Sequence, residues 1–523
     1  MKRIKTGAVR IAALVIVLGL SQLAQAQQAS GPIWTQLSPA QNTNGGSPAP
    51  AQRLLQSTAY DPTTNSMIAF GGATQDFGNF GVYNDAWVLT HADGTGGTPA
   101  WVQLTPSGAP PAARFGAGAG YDPASNRLII FGGALFEYTG TCAPTDNTGT
   151  LNDVWILTNA NGLGGTPTWT QVTPAGVPPA PRRSGAVVYD AAHNRLILFG
   201  GNEACGVDND IWVLTNANGL EAATPTWIPL TPSGVQPAAR GEIGSGGVYD
   251  AGDNMLIIFG GKGAAADFND VWVLSNANGL GGAPVWTQQS PVAGPPPARH
   301  AHTVTYDSMD NALLVIGGVD FTETQFLGDI WWLWNANGLA TSTQNWAQLT
   351  SSGAGPLPRA GHGAVYHHQT DRRAAIFAGV TCTPCAGLTD VWVFSGVDFV
   401  LFDPLSADVH INQNSRSFNV KGHFSLASGR SIDPLTQPVT FQLGGFATTI
   451  PAGSFTLANN GSYRFAGTIS GVPLDVTIQP HQGGYDLWFD GAGVSNLPTA
   501  NPVTVSLTIG LDTGSVKVSA HFN

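Results

Sequence analysis

Six arginines, Arg53, Arg114, Arg182, Arg240, Arg299 and Arg359, recur at intervals of 58 to 68 residues. A guanidinium fork can grip an acidic ligand with two parallel hydrogen bonds, so six of them could form an anion-binding ring. The same fork can instead lock onto a neighbouring acid or carbonyl of its own repeat. Presence in every copy favours locking, because a ligand rarely needs six equal contacts. His302 and His362 each stand three residues after one of these arginines. They can bind a ligand as neutral imidazoles, although a structural role is the expectation. Glu242 follows Arg240 in the one segment with nine rather than seven steps from Arg to the next Tyr. Such an irregularity can re-aim a side chain, and Glu242 with Arg240 and Arg299 would then make an acid–base constellation. The candidate ligand-binding set is therefore Arg240, Glu242, Arg299, His302, Arg359 and His362. No residue is assigned a catalytic role.

The four cysteines carry less chemistry. Cys382-Thr-Pro-Cys385 is short enough to bridge within one loop, which would leave Cys142 to pair with Cys205. An even count suits disulfides in an oxidising compartment. A redox role for C-x-x-C needs a thioredoxin-like βαβ setting, and the surrounding sequence offers none. No His or second C-x-x-C stands at zinc-ligand spacing, so neither metal nor cofactor is expected.

Lys2, Arg3, Lys5 and Arg10, the apolar run Ile11 to Leu20, and Ala24-Gln25-Ala26 read as a secretory signal peptide over residues 1–26. The apolar run is short for a membrane span. The mature chain is expected to be secreted, without a membrane span, and monomeric. Its final compartment can be periplasmic, extracellular or the cell surface. Charged residues make up only 10% of the chain and the formal net charge is −12. No basic stripe offers itself to nucleic acid. With 67 Gly, 36 Pro and 15 Trp, the composition suits an all-β chain rich in turns and excludes a large helical bundle.

The elements that must position these side chains come from an internal repeat. An apolar run ending in a glycine pair recurs at Gly71-Gly72, Gly132-Gly133, Gly200-Gly201, Gly260-Gly261 and Gly317-Gly318, with Ala378-Gly379 a degenerate sixth copy. Each copy predicts four strands. The first runs from Arg to Tyr and leads through an Asx turn, such as Asp122 to Asn126, into the apolar second strand. The third contains Asp-x-Trp, as in Asp85/Trp87 and Asp390/Trp392. The fourth opens on Trp101, Trp169, Trp227, Trp286 or Trp346. The copy count leaves one fourth strand missing, and Ile33-Trp34-Thr35-Gln36-Leu37 precedes the first repeat. That segment is expected to complete the sixth sheet beside Val391-Trp392-Val393, removing two exposed edges. Asn-Ala-Asn-Gly-Leu loops at 159–163, 216–220, 276–280 and 335–339 lack the carboxylates a calcium site needs and read as turns. His367 and His368 replace the usual Asp of a hairpin turn and are expected to be solvated.

Four short strands repeated radially make a β-propeller. The glycine pair and spaced aromatics over residues 33–396 resemble the kelch repeat, which implies a six-bladed propeller closed by the N-terminal strand. Residues 403–523 leave the pattern and alternate like half-exposed strands, for instance Phe418 to Phe424 and Val503 to Ile509. A C-terminal β-sandwich is expected there, with hairpin turns at Asn459-Asn460-Gly461 and Asp512-Thr513-Gly514. A kelch propeller followed by a sandwich also resembles galactose oxidase, whose copper site uses Tyr and His ligands and a Tyr cross-linked to Cys. This chain has six copies rather than seven and its cysteines lie in loops, so no copper ligand is transferred.

The leading reading is an exported scaffold without enzymatic activity, binding a protein or a glycan. Recognition would use the variable loops after the glycine pairs, at 134–150, 319–327 and 380–388. The alternative is a carbohydrate-acting enzyme. It would be an isomerase like the kelch sugar mutarotases, which use Arg and acidic residues around the mouth, or a copper oxidase.

Overall fold

The computed structural model describes residues 32–523 apart from 43–46, 77–78, 137–148, 204–205, 244–245, 292–294, 340–343, 368–371, 383–384, 397–401, 403–404, 427–431, 482 and 510–511. The proposed signal peptide, Cys142, Cys205 and His368 lie outside the described residues. Among those described there is no helix, and hence none long and apolar enough to cross a membrane.

Six four-stranded antiparallel sheets occupy the repeat region. The first is built from Ser57–Asp61, Ser66–Phe70, Ala86–Thr90 and Ala100–Gln103, in that order. In the last, Gly363–His367, Arg373–Phe377 and Val391–Ser395 are followed by Ile33–Leu37. Trp34 stands opposite Phe394 and Leu37 opposite Val391. The first strands also form a continuous series. Ser57–Asp61 packs on Gly118–Asp122, and the contacts run on repeat by repeat until Gly363–His367 packs back on Ser57–Asp61.

The repeating aromatics explain how neighbouring sheets adhere. The Phe before each glycine pair meets the fourth-strand Trp of the following repeat: Phe70 with Trp169 at 5.0 Å, Phe131 with Trp227 at 5.1 Å and Phe199 with Trp286 at 5.2 Å. Phe377 of the sixth repeat meets Trp101 of the first at 4.7 Å. Trp34 shares a buried cluster with Ile316 of the fifth, so it takes the role of the missing fourth-strand Trp. Each aromatic pair adds about 0.5–1.5 kcal/mol beyond the area it buries.

The first strands start later than expected. They begin four to seven residues after each Arg, because a residue near the arginine adopts left-handed φ. These are Leu55 (52°), Gly116 (62°), Ser184 (54°), Glu242 (45°), Ala301 (50°) and Gly361 (63°). At this bend the chain leaves the strand direction and bonds to the next repeat instead. Gly116 N donates to Leu55 O, Ser184 N to Gly116 O, Ala301 N to Glu242 O, Gly361 N to Ala301 O and Leu55 N to Gly361 O. The two extra residues after Arg240 are absorbed here. Glu242 accepts from Ala301, while Ile243 makes the bond to Ser184 O.

The Asn-Ala-Asn-Gly loops do more than turn. Their second Asn reaches the hairpin Asp of the preceding repeat: Asn161 to Asp61 at 2.8 Å, Asn218 to Asp122 at 2.8 Å, Asn278 to Asp190 at 2.7 Å and Asn337 to Asp250 at 2.9 Å. In the first repeat this Asn is Asp93, and the preceding hairpin Asp is His367. The pair is thus reversed in polarity, with His367 Nδ1 at 2.6 Å from Asp93. His367 is therefore not solvated: its side chain is 13% exposed and hydrogen-bonded to Asp93. Burial alone would raise the Asp93 pKa, but hydrogen bonds from His367, Asn65 and Thr95 hold it below the ordinary value.

The tail holds two sheets. One has seven strands, running from Thr456–Leu457 at one edge through Gly484–Gly491, Ser417–Ser425 and Leu405–Asn412 to His521–Phe522 at the other. The other has four, with Val439–Leu443 beside Val503–Ile509. One buried cluster draws on both, and Phe441 stacks on Phe489 with centroids 4.0 Å apart. Asn459-Asn460-Gly461 does join two paired strands. Asp512-Thr513-Gly514 does not form the other turn. It belongs to the strand Asp512–Val518, in which Asp512 pairs with Ile509.

Candidate functional site

The arginine-bearing end gathers the residues singled out from the sequence. Each Arg places both terminal nitrogens on the Asp of its own Asp-x-Trp: Arg240 on Asp270 at 2.6 and 3.0 Å, Arg299 on Asp329 at 2.6 and 2.8 Å, Arg359 on Asp390 at 2.7 and 2.8 Å. Arg53, Arg114 and Arg182 make the same fork to Asp85, Asp153 and Asp210. Nε donates to the carbonyl two residues upstream, as from Arg240 to Ala238. The inner nitrogen also donates to the carbonyl of the first glycine, as from Arg240 to Gly260. The same Asp accepts from the Trp two residues on, as from Trp272 at 2.7 Å. Arg, glycine pair and Asp-x-Trp thus form one hydrogen-bonded unit per repeat. The guanidinium groups are fully buried with their donors directed inward.

The glycine pair belongs to that unit for a steric reason. Gly200 and Gly201 have φ of 59° and 117°. A Cβ on Gly200 would lie 2.7 Å from the carbonyl of Arg240 in the next repeat. Gly201 N donates to that same carbonyl at 2.9 Å, and Gly379 N donates to Arg53 O at 2.9 Å. Glycine permits this approach without strain, although Ala378 holds the equivalent position in the sixth repeat at φ 63°.

His302 and His362 are buried immediately before the first strands Thr303–Asp307 and Gly363–His367 of their repeats. Both line a cavity of about 170 Å³ formed by Gln56, Ser57, Ser184, Val187, Val304 and neighbouring residues. His302 Nε2 is 3.1 Å from the Phe259 carbonyl, so it carries the proton. His362 Nε2 is 2.8 Å from Thr303 Oγ1. Burial, and then the charge of Arg299 or Arg359 respectively, push each imidazole down to about 3. Both rings are neutral at physiological pH. Their Nδ1 atoms, with Gln56 Oε1 and Ser184 Oγ, have no partner among the described residues.

Glu242 does not meet Arg240 or Arg299 as the sequence suggested, because those forks face their own Asp. Its carboxylate lies 3.5 Å from Arg183 and 3.6 Å from His300 Nε2. His300 is itself buried and held through Nδ1 at 2.9 Å from the buried Asp267. Lys262 pairs with Glu323 at 2.5 Å, and Glu323 lies 3.9 Å from His300. Arg183, Lys262, Asp267 and His300 were missed in the sequence reading. Arg183 and His300 each directly follow a repeat Arg, at a position occupied elsewhere by Leu54, Phe115, Gly241 and Ala360, and that comparison was the available signal.

This end is therefore divided. One part is apolar, with Leu54, Leu55, Ala73, Phe115 and Ala134 in one cluster and Leu54, Ala301, Val319, Ala360 and Val380 in another. The other part carries Arg183, Glu242, Lys262, His300 and Glu323. The loops above differ between repeats. Ala73–Asp76 and Asn79–Val82 form a hairpin in the first, and Val380–Cys382 with Cys385–Gly387 a smaller one in the sixth. Most of the expected 134–150 loop lies outside the described residues.

Four-stranded sheets in series, tied by an Arg–Gly-Gly–Asp-x-Trp unit, define a β-propeller. Residues 33–188 and 164–291 match the profile of the KLHDC2/KLHL20/DRC7 Kelch-repeats domain. The chain is a kelch-repeat protein. It is 30% identical over 258 residues to the serine/threonine-protein phosphatase BSL2 of Arabidopsis thaliana, covering 46% of this chain and 22% of that protein. It is 28% identical over 280 residues to the adagio-like protein 1 of Oryza sativa subsp. japonica, covering 51% of this chain and 39% of that one. The chain thus matches well under half the length of either relative.

Proposed function

We propose that the chain is an exported, monomeric binding scaffold that recognises a protein or glycan through the loops of the arginine-bearing end. The observation that carries this reading is the group of charged side chains that only some repeats carry at that end, Arg183, Glu242, Lys262 and Glu323. Kelch repeats make a protein partner the first choice. The internal use of all six guanidinium forks argues for a scaffold, because the repeated residues are committed to the fold and recognition falls to those that differ. We further propose six blades closed by Ile33–Leu37, which the pairing of Trp34 with Phe394 supports. The domain plan is a propeller over 33–396 and a β-sandwich over 403–523, following a cleaved segment of residues 1–26. A Cys382–Cys385 bridge is supported by their cross-strand pairing, with Cys142–Cys205 as the second bridge.

The test is a glycan array and a crosslinking screen with the purified full chain, run beside Arg183→Glu/Lys262→Glu. Specific binding lost on charge reversal is the expected result. Binding untouched by reversal, and by substitutions of the loops, would place recognition elsewhere.

One observation favours a second reading. The Asp267–His300–Glu242 series has the form of an oriented imidazole facing a carboxylate, which suits proton transfer on a sugar. Exchange of sugar anomers followed by NMR, with His300→Gln as control, separates this enzyme from the scaffold.

A further inference from the structure

Four of the chain's 11 histidines lie in the tail. All four fall into two clusters, each with one aspartate: His423, His481 and Asp486, and His410, His521 and Asp408. Histidines scattered over a surface would not all be expected to find a carboxylate in this way.

The first cluster is built by the sheet. His423 and Asp486 are cross-strand partners between Ser417–Ser425 and Gly484–Gly491. His481 ends Val472–His481, opposite Gly484. His423 Nδ1 lies 2.8 Å from one oxygen of Asp486, and His481 Nδ1 lies 3.4 Å from the other. The two rings meet edge to face with centroids 5.9 Å apart. A single carboxylate thus draws two imidazoles inward, each presenting the same nitrogen.

We propose that His423, His481 and Asp486 form a binding site for a divalent transition metal ion, with zinc as the reference ion. Two imidazole nitrogens and one carboxylate suit zinc, copper(II) or nickel. Calcium and magnesium need shells of oxygen ligands and would be excluded. The side chains are 35%, 58% and 29% exposed, which leaves room for water to complete the coordination.

The second cluster lies on the same sheet face, since Ser406 opposes His423 and alternates with Asp408 and His410 along Leu405–Asn412. Its geometry is poorer. The rings of His410 and His521 stack at 4.8 Å and 18°, so their lone pairs run side by side rather than converge. It serves as the internal comparison.

The experiment is calorimetric titration of the full chain, stripped of metal by a chelator, with zinc chloride near neutral pH. One tight site is expected, and magnesium should give no binding. His423→Ala and His481→Ala should each abolish that site. Asp486→Asn should weaken it by at least the roughly 10- to 100-fold that losing a supporting partner costs at metal sites. His410→Ala/His521→Ala should leave it unchanged. Circular dichroism checks that each variant folds, and cobalt(II) absorption in the visible range reports the donor set directly. The assignment is overturned if wild type takes up no zinc, or if His423→Ala/His481→Ala binds zinc as wild type does.

Discussion

The backbone N–H of Leu55 donates to the carbonyl of Gly361 at 2.7 Å, joining the first repeat to the sixth across 306 residues of chain. Leu55 holds φ at 52° to do so, a conformation that disfavours a side chain with Cβ. The same bond recurs between neighbouring repeats, so local strain at Leu55, Ser184, Glu242 and Ala301 is offset by a series of bonds that no single repeat can make. The first prediction concerns this series. Leu55→Gly relieves the strain and is expected to change stability by no more than about 1 kcal/mol, whereas Leu55→Pro removes the N–H and should destabilise by about 3 kcal/mol or more. Urea unfolding of both variants measures the difference.

The glycine pairs supply a contrasting pair of substitutions. Gly200→Ala places a Cβ 2.7 Å from the Arg240 carbonyl and is expected to cost about 1–3 kcal/mol. Ala378 already has φ of 63° at the equivalent position, so Ala378→Gly should be neutral or stabilising by up to about 1 kcal/mol. Thermal unfolding should move the two variants in opposite directions or leave the second unchanged.

Removing one partner of an arginine fork should be far worse than changing a surface charge. Asp270→Asn leaves Arg240 fully buried without its counter-charge and should destabilise by about 3–5 kcal/mol. Asp408→Asn, at a carboxylate 57% exposed, should stay within about 0.5 kcal/mol. Denaturant midpoints distinguish these outcomes.

His302 and His362 should make the protein acid-sensitive. Each has its pKa lowered from 6.5 to about 3, so between those values the unfolded chain binds protons that the folded chain refuses. Stability is then full above about pH 6.5 and declines as pH falls toward about 3. His302→Gln should flatten that decline, as read by unfolding free energy against pH. An unchanged slope would show that His302 is not held neutral.

The His367–Asp93 pair predicts a rescue. Restoring the polarity found in other repeats, with Asp93→Asn and His367→Asp together, should recover part of the stability that each single change loses. A coupling of about 0.5–3 kcal/mol is expected from a double-mutant cycle.

The repeat, its strands and its aromatic spacing were legible because they are local and periodic: the Arg, the glycine pair, Asp-x-Trp and the fourth-strand Trp recur in near-fixed order. The motif also carried its own explanation in part, since an Arg in every repeat is more plausibly a lock than a ligand contact. What could not be read was which acid each Arg faces, because the partners lie 28 to 39 residues apart and meet only when four strands pair. The same limit hid the company of Glu242. Its expected partners Arg240 and Arg299 turn away to Asp270 and Asp329, while Arg183 and His300 arrive from adjoining repeats. His367 was misjudged for a related reason, as its partner Asp93 lies 274 residues earlier. In the tail, alternation marked the strands, but only their register put His423, His481 and Asp486 together. The amino-acid sequence by itself determined the repeating unit, because side-chain period and turn chemistry act over a few residues. Contacts between repeats, and every cluster of charge, were decided by the tertiary structure, because they depend on which distant strands become neighbours.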